Sequence, residues 1–452
     1  MLRRVVYWVC ARCLRWFYRD LRVVGGDRVP ATGPVLLVGN HPNDIPDVIA
    51  GLYTTPRPVR YIATVSMVTS WPARKTYEAM GVIPVARIRD ARKMKAEGVD
   101  MVAVNQAAYD AVGRAFAAGD VVAVFPEGGV HDVPEIGRLR TGVAKMVLEH
   151  LDTDAKNDVT IVPFGIQYEA PRTRGSDILV QLGSPWSARA FVQGAPPEEG
   201  GLAGLTARLR DALRAVTRNA PTWEVAALRD ELIAAVAAAV APHDPLGAVP
   251  SLVPTAAAKA PVLAEGGGDA AAIRLRSAVH QLALAVERAG GVRSSAVDHA
   301  RLLYALEVEP LRTAAQAPVP AIVLVAGLPA AAIGWAVHGP IFALVRAVAR
   351  RGITVRTDEV ARRFVPGLYL VGLWYLLLTL TGMVALALNG VSPLWILPAT
   401  LTVTRFGDLA VRWRAWFEHW QMVTRVRRWA ASDREVLRVA AAVVRETAAA
   451  LD

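Results

Sequence analysis

The stretch VLLVGNHPNDIPD, residues 35–47, sets the reading of this chain. Four consecutive aliphatic residues closed by a glycine read as a strand buried on both faces. Asn, Pro and Asp follow, residue types that favour turns, and an apolar stretch over 47–54 then reads as a helix. A strand therefore feeds a helix through a loop that carries His41 and Asp47. The pattern recurs outward from there. Further strands are predicted at 59–65, 81–87, 121–125, 159–166 and 178–183, with helices at 98–118 and 138–151. Such alternation predicts an α/β fold, a mostly parallel sheet flanked by helices.

Composition narrows the class. The chain has 452 residues, 53% hydrophobic and 20% charged, and a formal net charge of +11. This hydrophobicity excludes an intrinsically disordered chain, and its length allows one or two domains with sizeable cores. The mean hydropathy is +0.31, which directs attention to membrane segments. Of the 51 basic residues six are lysine and 45 are arginine, a bias that points to an anionic partner such as phosphate, nucleic acid or lipid head groups. The two cysteines, Cys10 and Cys13, form no disulfide framework and imply a reducing compartment. With no second pair they complete no zinc site, and no His/Cys/Asp cluster has ligand spacing, so no metal or cofactor is expected.

Residues 1–22 read as an amphipathic helix with Tyr7, Trp8, Trp16, Phe17 and Tyr18 beside arginines. It suits a membrane interface and equally a helix packed on the protein's own core. The α/β pattern fills 23–230, and 231–317 reads as a helical connector, with breaks at 242–247 and 265–269 and a flexible middle. A membrane-embedded region is expected over 318–404. Within it, 364–404 holds no Asp, Glu, Lys, Arg or His over 41 positions, about 60 Å as a helix, twice the roughly 30 Å hydrocarbon thickness. With a turn at Asn389-Gly390 it predicts a two-span hairpin. The four prolines of 318–345 favour a re-entrant or interfacial segment there. Arginines on both sides of the hairpin place both ends in the cytoplasm by the positive-inside rule, and 405–452 reads as basic amphipathic helices.

Four strings carry chemistry. In GNHPNDIPD (39–47), a histidine stands in a strand-to-helix loop near a carboxylate. A neutral imidazole needs one nitrogen held so that the other can accept a proton, and a carboxylate supplies that partner. Asp47 is the first candidate and Asp44 the alternative. GVIPVAR (81–87) ends a strand on Arg87, at the carboxyl edge where α/β sheets bind ligands, and guanidinium suits bidentate phosphate recognition. VVAVFPEGG (121–129) runs into Glu127 and Gly128, a carboxylate and a glycine open to close approach. Arg138 and Arg140 precede a helix N-terminus, a setting that favours phosphate. IVPFGIQY (161–168) is a further strand reaching the same edge.

In order and spacing these four strings resemble those of the glycerolipid acyltransferases, the family of lysophosphatidic acid and glycerol-3-phosphate acyltransferases. NHPNDIPD resembles its His-x4-Asp block, with one departure: five residues separate His41 from Asp47, as in a branch with NHPN-type blocks. The resemblance covers about residues 20–230. It implies the family's fold and a membrane-bound O-acyltransferase of phospholipid biosynthesis. His41, oriented by Asp47, would be the general base. Arg87 would bind the acceptor phosphate, with Arg140 as a second candidate and Arg138 as a further substrate-binding residue. Glu127 and Gly128 would position the glycerol, and Asn40 and Asn43 would shape the loop. The implied partners are acyl-CoA or acyl-carrier protein as donor, a phosphorylated glycerol acceptor (glycerol 3-phosphate or dihydroxyacetone phosphate) and membrane lipids. The hydrophobic C-terminal extension resembles that of a glycerol-3-phosphate/dihydroxyacetone-phosphate acyltransferase subgroup, a resemblance that favours that acceptor over lysophosphatidic acid or another lysophospholipid. A non-enzymatic lipid-binding scaffold is the rival from another class. Nucleic acid is not expected, since the arginines form no stripe or recognised module. The implied location is an integral membrane protein with a cytoplasmic catalytic domain, in the inner or cell membrane if the source is bacterial.

Overall fold

Strand formation follows the aliphatic runs. The computed structural model describes residues 2–65, 71–87, 91–96, 98–131, 133–154, 157–265, 269–307, 321–349 and 358–449. Its contacts gather into two compact units. One comprises Met1–Trp8, Leu21–Gln167 and Ile178–Pro221, and the other Val9–Asp20, Tyr168–Asp177 and Thr222–Asp452.

In chain order the elements up to Pro221 are α1 (Leu2–Phe17), β1 (Leu21–Val24), β2 (Val35–Gly39), α2 (Ile45–Gly51), β3 (Val59–Thr64), α3 (Trp71–Met80), β4 (Ile83–Val85), α4 (Ala91–Ala96), α5 (Met101–Ala117), β5 (Val121–Val124), α6 (Gly142–Thr153), β6 (Thr160–Tyr168), β7 (Ile178–Leu182), β8 (Trp186–Ser187), α7 (Ala188–Gly194), α8 (Pro197–Gly200) and α9 (Leu202–Arg214). Among the described residues the strands form one sheet in the order β1-β7-β6-β2-β5-β3-β4, with β8 paired to β6. The registered pairs β1–β7, β2–β5, β2–β6, β3–β4 and β3–β5 are parallel, and β6–β8 is antiparallel. All six predicted strands are present. Two were not foreseen: β1, a four-residue edge strand among charged residues, and the two-residue β8.

The continuous apolar runs have their physical reason in burial. Every residue of β2 and β5 is buried, and so are the seven central residues of β6. On one face Leu36, Val38, Val122 and Ile161 pack with Phe116 of α5 and Val147 of α6. The Asp100 side chain caps α5 by accepting from the N–H groups of Val102 and Ala103, which starts the helix three residues later than the sequence pattern suggests.

In the second unit the helices Trp223–Val240, Pro245–Ala264, Ala270–Arg288 and Ala296–Glu307 occupy the predicted connector. They are not an extended spacer, because Ile233, Val236, Leu282 and Leu302 are buried in the unit's core. The segment Val9–Phe17 packs on this unit: Cys10, Cys13, Leu14 and Trp16 are buried, Trp16 stacks on Phe342 at 4.0 Å, and Arg12 pairs with Asp408.

The membrane expectation changes in detail. The described part of 318–345 is no re-entrant turn but one helix, Ala321–Ala349, that keeps Pro329 and Pro340 inside it. Pro318 and Pro320 lie outside the described residues. The hairpin is present as Asp358–Leu388, a turn at Asn389-Gly390, and Ile396–Arg427, whose length carries it past the apolar stretch into the basic tail. Among the described residues three helical segments are long and apolar enough to cross a membrane: Pro245–Ala264, Val323–Ala349 and Tyr369–Leu388. Leu373, Leu376, Leu380 and Val384 are exposed along the last.

Close packing behind the sheet generates a prediction. A Cβ on Gly165 would stand 1.9 Å from the Val216 carbonyl oxygen, a backbone atom that cannot rotate away. Gly165→Ala should destabilise the protein by about 1–3 kcal/mol, read as a lower Tm in detergent. An unchanged Tm would contradict this packing.

Candidate active site

The register of the central strands delivers three of the four strings to one edge. β2 lies between β5 and β6, with Val38 opposite Val124 on one side and Gly39 opposite Phe164 on the other. The chain leaving β2 enters Asn40 and His41, the chain leaving β5 enters Phe125 to Gly128, and Ile166 lies just past the Gly39 pairing. Gly39 is required here, since a Cβ would fall 2.3 Å from the Phe164 ring.

Asn40 closes the end of the strand. Its side-chain N–H donates to the Ile166 carbonyl at 3.1 Å, and its oxygen accepts from the Ile166 N–H at 2.7 Å. The carboxamide thus continues the ladder by one step and shapes the loop, with these bonds directed at β6.

His41 and Asp47 come together. His41 Nδ1 lies 2.9 Å from Asp47 Oδ2. The same oxygen accepts from the Asn43 N–H at 2.7 Å, and Asp47 is fully buried in the first turn of α2. The carboxylate oxygen, which accepts the Asn43 N–H, holds Nδ1 as the N–H-bearing nitrogen and leaves Nε2 as the free ring nitrogen. The ring stacks on Phe125 at 4.2 Å and 7° and its side chain keeps 14% exposure, so it is held yet reachable. Asp44 takes another place: it precedes α2 with φ 55°, the one non-glycine positive φ among the described residues, and its carbonyl accepts from the Asp47 N–H.

Glu127 is buried and its oxygens are engaged. Oε1 accepts from the His41 main-chain N–H at 2.8 Å, and Oε2 accepts from the Gly137 N–H at 2.8 Å and meets His131 Nε2. Burial pushes this carboxyl up, but His131 and the amides of Gly137 and His41 outweigh it and hold it below the usual carboxylate range. These bonds make Glu127 a brace between two loops. His131 was not singled out in the sequence, where it stands four residues after Glu127 in a loop of no recognised pattern.

Gly128, at φ 73°, adopts a conformation that glycine favours. Two arginines flank it. Arg87 Nη1 donates to the Gly128 carbonyl at 3.4 Å, and a Cβ on Gly128 would stand 3.2 Å from Arg140 Cγ. Arg140 is exposed and its main-chain N–H is fixed to the Pro126 carbonyl at 2.7 Å. Arg138, also exposed, stands on the approach to α6. Arg87 and Arg140 therefore share one glycine as neighbour, an arrangement able to receive an anionic group. Among the described residues no group of three or more His, Cys, Asp or Glu is placed to hold a metal ion.

The family model described as Acyltransferase matches residues 20–167. The chain is 35% identical over 119 residues to an acyltransferase of Schizosaccharomyces pombe, covering 26% of this chain and 18% of that protein. It is 30% identical over 165 residues to glycerol-3-phosphate O-acyltransferase 1 of Saccharomyces cerevisiae, covering 36% of this chain and 21% of the relative. The matches thus span about a fifth of these relatives' lengths. The crystal structure of the 1-acyl-sn-glycerophosphate (LPA) acyltransferase from Thermotoga maritima is similar at 13% identity and a TM-score of 0.34, over 47% of this chain and 76% of that one. The residues that match the Acyltransferase family model, 20–167, hold His41, Asp47, Arg87, Glu127 and Arg140.

Proposed function

We propose that this protein moves a fatty acyl group from a thioester donor, acyl-CoA or acyl-carrier protein, to a hydroxyl of a phosphorylated glycerol, glycerol 3-phosphate or dihydroxyacetone phosphate. The observation that carries the reading is the 2.9 Å contact between His41 Nδ1 and the buried Asp47 carboxylate. It prepares Nε2 to take a proton. As the acceptor oxygen attacks the thioester carbonyl, Nε2 removes the hydroxyl proton. The tetrahedral intermediate then collapses, the carbon–sulfur bond breaks, and the imidazolium returns the proton to the departing thiolate. Asp47 stabilises the imidazolium in between. No acyl-enzyme is formed. Arg87 and Arg140 hold the acceptor's phosphate beside Gly128. The glycerol-3-phosphate acyltransferases among the relatives support this acceptor class. The three apolar helices support a membrane-bound enzyme.

His41→Ala should lower acyl transfer by about 10²–10⁴-fold while the protein remains folded and membrane-bound, measured with radiolabelled acyl-CoA and purified protein. Retained transfer would remove His41 as the base. Offering glycerol 3-phosphate, dihydroxyacetone phosphate and lysophosphatidic acid in parallel identifies the acceptor, and preference for the last would replace the proposed one.

Glu127 adds a pH prediction. Its folded pKa is depressed, so its stabilising contribution is present above the ordinary carboxylate value and is lost as pH falls through the depressed one. The Tm deficit of Glu127→Gln against wild type should be largest near neutrality and shrink in acid. A deficit that is constant with pH would show that the charge of Glu127 contributes nothing.

A further inference from the structure

The loop from Pro126 to Arg140 is fastened at two places. On its outer side the Ile136 N–H donates to Asn219 Oδ1 at 3.0 Å, the Ala220 N–H donates to the Pro134 carbonyl at 3.0 Å, and Arg214 pairs with Glu135 at 3.2 Å. On its inner side it is tied to the His41 loop through Glu127, whose two oxygens face different loops. Oε1 holds the main chain of His41, and Oε2 holds Gly137 and His131.

We propose that His131 is a positioning residue for His41, acting through Glu127. This rests on the reading of His41 as the general base. A carboxylate turns easily about its terminal torsion, which has no sharp rotamer wells. Two donors converging on Oε2 fix its plane, and the fixed plane aims Oε1 at the N–H of residue 41. That bond sets the backbone from which the imidazole projects, and the Asp47 contact sets the ring's other end. Exposure agrees with this division: the Glu127 side chain is 2% exposed and that of His131 28%, so the imidazole covers the carboxylate from solvent. Gly137 supplies an independent sign of a built contact. A Cβ there would stand 2.8 Å from His131 Nε2 and 3.0 Å from Glu127 Oε2, so only glycine lets the main-chain N–H and the imidazole reach the same oxygen.

The test compares His131→Asn with His131→Gln. The glutamine amide nitrogen can stand near the position of Nε2, whereas asparagine ends near Nδ1 and falls short of the carboxylate. His131→Asn should lower kcat about 10- to 100-fold, the size expected of a slight misplacement of the base, with KM for donor and acceptor unchanged within about twofold. His131→Gln should recover most of the rate. In a Glu127→Gln background His131→Asn should cost little more, because its route is already cut. Gly137→Ala, which displaces the imidazole by another route, should reproduce the kcat-selective loss and serves where His131→Asn folds poorly. Wild-type kcat in His131→Asn or Gly137→Ala, a loss carried by KM, a glutamine variant as slow as the asparagine one, or additive losses in the double variant would each overturn the proposal. Absence of acyl transfer by the wild type, or activity of His41→Ala, would instead overturn the acyltransferase mechanism on which it rests.

Discussion

The register of β2 between β5 and β6 is the constraint on which the site depends. A one-residue slip of β2 would send its side chains to the opposite face. It would also move Asn40 off Ile166 and His41 off Phe125. The register is protected by close contacts as well as by hydrophobicity. Gly39 meets the Phe164 ring where no Cβ fits, and Gly165 meets the Val216 carbonyl. The sheet therefore acts as a template: its buried strands fix three chain exits, and each exit delivers one piece of the chemistry. The soft parts of the site are the loops, and for these Glu127 substitutes for a sheet by joining two main-chain N–H groups through one carboxylate.

The second unit has its own organising charge. Arg19 forks onto Asp177 through Nε at 3.0 Å and Nη2 at 2.5 Å, and its Nη1 reaches Asp298 at 2.9 Å, while Glu169 stands 3.6 Å away. Burial works against the charge of Arg19, and Asp298 and Asp177 more than offset it. Burial, with Asp177 adding to it, pushes Glu169 up to about 8 although Arg19 opposes the shift. Asp298 is held below its ordinary value in spite of burial, by Arg19 and Arg301. Arg19 and Arg301 are shared among three neighbouring carboxyls, and the desolvation of Glu169 outweighs what reaches it. The network ties Arg19, the segment Glu169–Asp177 and the start of the helix Ala296–Glu307 into one polar knot.

Much of this was legible in the sequence because it is local. The strands announced themselves as aliphatic runs, His41 and Asp47 lay six positions apart, and Phe-Pro-Glu-Gly-Gly marked the exit of β5. What stayed hidden was set by distance along the chain or by the direction of a side chain. The Arg19 knot joins residues separated by 158 and 279 positions, and no pattern reading can pair them. Glu127 was placed at the site, but composition could not tell whether its oxygens face substrate or backbone; the loop geometry decides for backbone. His131 belongs to a loop with neither helical nor strand period. The prolines of 318–345 favoured a re-entrant or interfacial segment, yet Ala321–Ala349 keeps two of them inside one helix, as apolar packing allows in a helix of this length.

The arginine surplus shows how far charge alone can mislead. Forty-five arginines against six lysines suggested an external anion, yet many of these side chains are spent inside the protein on carbonyl oxygens. Arg57 donates to the carbonyls of Pro30 at 2.8 Å and Gly33 at 2.7 Å, and also to that of Gly119. Arg189 gathers the carbonyls of Asp154 at 2.6 Å and Asn157 at 3.0 Å, Arg28 takes that of Leu182 at 2.6 Å, and Arg425 that of Ala289 at 3.0 Å. A planar fork with five N–H donors can close several strand and helix ends at once, and an ammonium group on a flexible stem cannot do so in fixed directions. The bias toward arginine is thus in part an answer to unpaired loop carbonyls. The proposed phosphate contact therefore rests on the position of Arg87 and Arg140, which meet at a glycine in a left-handed turn, and not on the number of arginines.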